Sequence, residues 1–151
     1  MMKLPAEVAI LTIPPDPCPP PFSIFGGLCL LFSTNKLNWS EAKSSCTAYG
    51  GQLAEVESEA KMTAITEAKT SAGFTNALWF GLSDLAKEGT FVWSSTGEPA
   101  VYTNWLKGEP NSNKNNENCG QIGHPSWTAE NGNKWNDEPC TRIYNFLCEK
   151  P

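Results

Sequence analysis

Oxygen-bearing side chains crowd one part of this chain: Glu109, Asn111, Asn113, Asn115, Asn116, Glu117 and Asn118, followed by Asn136, Asp137 and Glu138. Carboxylates and amides are hard donors. Ca2+ takes about 6–8 such oxygens at roughly 2.3–2.6 Å in irregular geometries that loops can supply, whereas Mg2+ demands a stricter octahedron. Asn, Gly and Ser are also ordinary turn formers, and loop acids are ordinarily solvated, so composition alone leaves both readings open. Glu109 and Glu117 have an enzymatic reading too, as the acid and base of a hydrolase. A general acid must be kept protonated near neutral pH, and ionised metal ligands explain the two carboxylates better. His124 is the single histidine of the chain. It sits beside Pro125 with no Ser or Cys in a recognisable nucleophile motif, and reads as a surface loop residue.

The donors lie in a stretch, Lys107 to Asn136, rich in Gly, Pro, Ser and Asn and without periodicity, which predicts a long loop with hardly any secondary structure. Around it the chain supplies regular elements. FSIFGGLCLLFS from Phe22 to Ser33 reads as two short strands turned at Gly26-Gly27. Ser40 suits the N-cap of a helix running to about Tyr49 and ended by Gly50-Gly51. A second helix begins at Ser58, places Ala60, Ala64, Ile65 and Ala68 on one face, and stops at Gly73. After Ala77 the runs LWFGL, TFVWSS, VYTNW and YNFLCE read as aromatic strands, in which Trp79, Phe91, Trp93 and Trp105 are core residues. The resulting fold class is α+β. Trp135 reads as core packing that aims the residues after it, and Trp127 as either loop packing or a platform for a sugar face.

A formal charge of -5 with no cluster of Lys and Arg argues against nucleic-acid binding. The six cysteines, Cys18, Cys29, Cys46, Cys119, Cys140 and Cys148, contain no C-x-x-C pair, so the common zinc and thioredoxin spacings are missing and disulfides in an oxidising compartment are expected. Six cysteines allow 15 connectivities, which spacing does not resolve. Met1 to Ile13 makes a poor signal peptide, with one Lys, Glu7 and a short apolar run, so the expectation of a secreted, extracellular protein rests on the cysteines. No run approaches the roughly 20 apolar residues of a membrane helix. The prolines from Pro14 to Pro21 forbid helix and make an extended lead-in, which sets the expected division into an N-terminal extension, 1–17, and a domain, 18–150. Asn38-Trp39-Ser40 is a glycosylation sequon whose occupancy the sequence leaves open.

The order Glu109-Pro110-Asn111, Glu117-Asn118-Cys119, Trp135-Asn136-Asp137 and Cys140 resembles the calcium and sugar site of C-type lectins. The likeness runs from Cys18 to Glu149 and includes Trp79-Phe80-Gly81-Leu82 at the place of the family's WIGL motif and the terminal Phe146-Leu147-Cys148-Glu149. It implies two helices packed on small antiparallel sheets, a calcium-binding loop region, and the pairs Cys18–Cys29, Cys46–Cys148 and Cys119–Cys140 of the family's long form. It implies that Glu109, Asn111, Glu117, Asn136 and Asp137 hold one Ca2+, with Pro110 cis, and that Glu109, Asn111, Glu117 and Asn136 also meet the sugar. Asp84 and Glu88 match the spacing of an auxiliary calcium site together with Asn118. Ser112 and Asn118 stand where acids are commoner, which reduces the ligand charge there.

The Glu-Pro-Asn order accompanies equatorial 3- and 4-hydroxyls, as in mannose, glucose or N-acetylglucosamine, where Gln-Pro-Asp accompanies galactose. The resemblance therefore implies calcium-dependent binding of mannose-type glycans, in innate immune recognition or agglutination, with no reaction catalysed. The competing class is a lectin-like protein that binds proteins or biominerals, marked by calcium binding without sugar competition. No heptad supplies an oligomer, and assembly stays open.

Overall fold

In the computed structural model, which describes residues 17–110, 118–127 and 131–151, Asn38 opens the first helix, α1 (Trp39–Ala48). Its Oδ1 accepts from the Glu41 backbone N–H at 2.8 Å and the Glu41 carboxylate accepts from the Asn38 N–H at 3.2 Å, a reciprocal capping box. The expected cap at Ser40 is thus two residues late, because Ser40 has no glutamate three positions on and Asn38 has one. Asn38→Ala is expected to cost about 1 kcal/mol and Ser40→Ala close to nothing. Equal losses on chemical denaturation would return the cap to Ser40.

The second helix, α2 (Glu59–Ala72), is capped by Ser58 and ended by Gly73 in the left-handed region, φ 67°, as its sequence predicts. Its buried stripe is Met62, Ile65, Ala68 and Lys69, and the expected face was set too far round: Ala60 is exposed. Alanines fit a helix anywhere, so propensity does not mark a face as the bulkier Met62 and Ile65 do.

The strands are β1 (Ser23–Phe25), β2 (Leu28–Phe32), β3 (Gln52–Leu53), β4 (Leu78–Ser83), β5 (Val92–Trp93), β6 (Cys119–Ile122), β7 (Trp135–Glu138) and β8 (Asn145–Glu149). They follow the order β1-β2-β8-β4-β6-β7, with β3 on β8 and β5 on β4. Pairing is antiparallel within each half, and the parallel pair β4–β8 joins the halves. All six residues of β4 are buried because the strand is covered on both faces. Leu78, Phe80 and Leu82 pack with Met62, Ile65 and Ala68 of α2, while Trp79 packs with Trp39, Ala42 and Phe146 around α1. Gly81 lets β4 approach the segment after β3: its N–H donates to the Ala54 carbonyl at 2.7 Å, and a Cβ there would lie 3.0 Å from the Leu53 carbonyl oxygen.

Two expectations fail in the second half. VYTNW is not a strand; Val101 is almost fully exposed and only Trp105 bridges, to Trp135. The supposed loop from Lys107 to Asn136 contains β6, fully buried between β4 and β7. CGQI and WNDE carry little strand propensity, and their pairing partners decide the outcome. Disulfides join Cys18–Cys29, Cys46–Cys148 and Cys119–Cys140, the pairs implied by the resemblance. The last ties the start of β6 to the turn after β7. Among the described residues no helix is long and apolar enough to cross a membrane.

Candidate functional site

Asn136 and Asp137 sit on β7, both buried, in register with Gln121 and Gly120 of β6. The Asn136 amide donates to the buried Gln121 Oε1 at 3.1 Å, which fixes the Asn136 side chain and leaves its own carbonyl oxygen as the acceptor end. Gln121 was not foreseen, since nothing in the local sequence marks an isolated Gln as a support.

The chain leading to Glu109 runs alongside β7. The Trp135 N–H donates to the Asn104 carbonyl at 2.8 Å, the Leu106 N–H to the Trp135 carbonyl at 3.0 Å, and the Glu109 N–H to the Leu106 carbonyl at 2.8 Å. Glu109 is half-buried, and the Glu109–Pro110 bond is cis. Asn111, Ser112, Asn113, Asn115, Asn116 and Glu117 lie outside the described residues, as does the lead-in up to Asp16.

On the neighbouring strand end, Asp84 follows β4 and is 2% exposed. Its N–H donates to the Asn118 carbonyl at 2.9 Å, and its carboxylate accepts from the Gly89 N–H at 2.8 Å across the turn that carries Glu88. The Asn118 amide faces both acids, and with its nitrogen assigned to that side, as two acceptors require, it lies 2.9 Å from Asp84 Oδ1 and 3.0 Å from Glu88 Oε1. The structure thus brings Asn118 to Asp84 and Glu88, which lie well before it in sequence. Burial, foremost, then the neighbouring Glu88 and Asp137, push the Asp84 carboxyl up from 3.8 to about 6, against the Gly89 bond that favours its ionised form.

This donor set fits a hard cation. The resistance of the Asp84 carboxyl to ionisation is what a divalent ion would relieve, and the Asn118 amide can present its oxygen to that ion. Among the described residues no group of three or more His, Cys, Asp or Glu side chains could hold a metal ion alone. Asparagine amides are needed to complete any shell.

The raised Asp84 value gives a signed pH dependence. An acid whose folded value lies above its unfolded one favours folding while protonated, so in metal-free protein its contribution is lost as pH rises from about 4 through about 6. Thermal midpoints in EDTA should fall more steeply for the unaltered protein than for Asp84→Asn, in which Glu55, also raised by burial, keeps a part of the trend, and Ca2+ should oppose the Asp84 part by favouring the ionised form. Identical pH profiles for the two proteins would remove Asp84 from the account.

Glu138, counted among the donors, points elsewhere: it accepts from Arg142 at 2.9 Å and lies 3.4 Å from the Tyr144 hydroxyl. The Arg142 four residues on was the available signal. His124 is partly exposed, its Nδ1 2.7 Å from the Ser126 hydroxyl, and its ring lies against Trp127 with centroids 5.9 Å apart.

A family model described as the Lectin C-type domain matches residues 35–150. A C-type lectin mannose-binding isoform of Oxyuranus scutellatus is 33% identical over 135 residues, spanning 87% of this chain and 82% of that protein. The mouse scavenger receptor C-type lectin carbohydrate-recognition domain superposes with a TM-score of 0.73 at 31% identity, over 88% of this chain and 95% of that one. A calcium-independent type II antifreeze protein has the same fold, with a TM-score of 0.72 at 26% identity over 88% of this chain and 93% of that one.

Proposed function

We propose, from the premise that this chain belongs to the C-type lectin domain family, that it is an extracellular lectin binding mannose-type sugars through Ca2+. The family and fold are those of carbohydrate-binding proteins rather than enzymes, so the hydrolase reading of Glu109 and Glu117 falls away. The observation that carries the proposal is the backbone pairing that lays the segment leading to Glu109-Pro110-Asn111 against β7, which bears Asn136 and Asp137.

In this reading Glu109, Asn111, Glu117, Asn136 and Asp137 hold one ion, and Asp84, Glu88 and Asn118 offer an auxiliary place for a second. Bound Ca2+ supplies a charge to which two vicinal hydroxyls can each give a lone pair. Glu109 and Glu117 accept the hydroxyl protons, and Asn111 and Asn136 donate from their amides, so every polar edge of the hydroxyl pair is used. Glu-Pro-Asn at 109–111 favours the mannose-type arrangement, and the relative from Oxyuranus scutellatus carries mannose binding in its description. The six cysteines, all in disulfides among the described residues, support secretion. Residues 18–150 form the domain, with 1–17 as an extension, and innate recognition or agglutination is the role that suits it. Such roles draw on avidity, which an oligomer would provide.

The antifreeze relative favours a second reading, in which the fold serves a surface other than sugar and metal is dispensable. Disulfide-intact protein applied to immobilised mannan and to a galactose matrix separates the two. Retention on mannan, released by EDTA or free mannose, is expected. Calcium uptake with no retention on either matrix would move the assignment to the protein-binding or mineral-associated class.

A further inference from the structure

We infer that Lys69 and Asn104 are positioning residues for the calcium site, pinning the turn that feeds β7 from its two sides. Lys69 lies on the buried stripe of α2, 6% exposed, at a position following Met62, Ile65 and Ala68. Its ammonium crosses to the turn at 131–134, donating to the Gly132 carbonyl at 3.1 Å and to Asn133 Oδ1 at 3.0 Å. From the other side the Asn104 amide donates to the Asn133 carbonyl at 2.9 Å. The Asn104 carbonyl in turn receives the Trp135 N–H. Asn133 is therefore held by both residues, and Asn136 and Asp137 follow it by three and four positions.

The choice of a cation at position 69 is the telling fact. Burial lowers the basicity of the Lys69 ammonium, a cost that an apolar residue on the same stripe would not carry. An apolar residue there would leave the Gly132 carbonyl and Asn133 Oδ1 without these donors, so lysine serves the turn it reaches rather than the stripe it lies on. What lysine adds is two directed bonds from α2 to the turn. Supports one step removed from metal ligands tune affinity by holding the ligands in place.

This inference rests on the calcium reading above, and its test separates the two. Lys69→Met keeps the stem and removes both bonds; Asn104→Ala removes the second hold. Ser95→Ala, which deletes the hydroxyl bond to Glu55 at 2.8 Å and leaves the bonds of Lys69 and Asn104 intact, serves as a control for simple destabilisation. The calcium dissociation constant, from titration calorimetry well below the melting range, is expected to rise about tenfold in each clamp variant and to stay unchanged in Ser95→Ala. Deuterium uptake over 131–138 in calcium-free protein should rise in the clamp variants alone. Unchanged affinity and exchange in variants of a protein that does bind calcium would overturn the clamp and leave the lectin reading standing. Failure of the unaltered protein to take up calcium would overturn both.

Discussion

Asp137→Asn is expected to weaken calcium binding, and with it retention on mannan, on the order of 100-fold while the fold persists. Asp137 is fully buried on β7, opposite Gly120. Asparagine has nearly the same shape, so the strand and its pairing survive, while one full ligand charge disappears. A hydrogen bond or ligand contact made by a charged group is worth up to roughly 3 kcal/mol in such exchanges, which sets the factor. A second effect identifies the mechanism. Asp137 is the weakest of the influences that push Asp84 up, so its removal should lower the Asp84 carboxyl slightly while burial keeps it raised. The metal-free variant would then show a slightly shallower loss of stability between pH 4 and 6 at the same time as its calcium response fades. Calorimetric titration and thermal scans with and without EDTA read both. Undiminished calcium affinity in a folded Asp137→Asn protein would exclude this carboxylate from the ligand set.

How much of this arrangement was legible beforehand follows from what each residue advertises. Cysteines, the Glu-Pro-Asn triplet and the Trp-Asn-Asp triplet are rare, ordered signals, and they marked the family, and with it a candidate site, before any geometry was known. The helices announced themselves through caps and glycines, and the error at Ser40 came from weighing one cap residue without its glutamate partner. β6 and β7 stayed hidden because CGQI and WNDE are polar or small at most positions and gain their strand character only from β4 and from each other. Lys69 was invisible for a different reason: it reaches a turn 63 residues away, and a lysine on a helix ordinarily reads as a solvated one. Local pattern reports what a segment prefers; it does not report which distant segment will use it.

Trp135 shows how that distant use joins core to site, and its removal should produce a large loss of stability. Its ring is fully buried, with centroids 4.9 Å from Phe80, 6.0 Å from Trp93, 5.8 Å from Tyr102 and 5.7 Å from Trp105. The indole N–H points at the Met62 sulfur of α2, 3.3 Å away. One side chain thus connects α2, β4, β5 and the irregular segment around 102–105, which has no strand pairing of its own beyond Trp105. Truncation of a buried tryptophan to alanine costs about 3–5 kcal/mol. In a domain of this size that corresponds to a fall in melting temperature of roughly 10 °C. Trp135→Phe keeps most of the ring contacts and loses the indole donor, so a smaller loss is expected. The ordering of the variants is the diagnostic part. If Trp135 only filled space, calcium would raise the midpoint of the alanine variant by as much as it raises that of the unaltered protein. Because the Trp135 ring also packs on Tyr102 and Trp105 of the segment whose backbone pairs with β7, the calcium-induced shift should shrink in the alanine variant and be largely kept in the phenylalanine one. Equal calcium shifts in all three proteins would confine Trp135 to the core and leave the alignment of the ligand segments to other bonds.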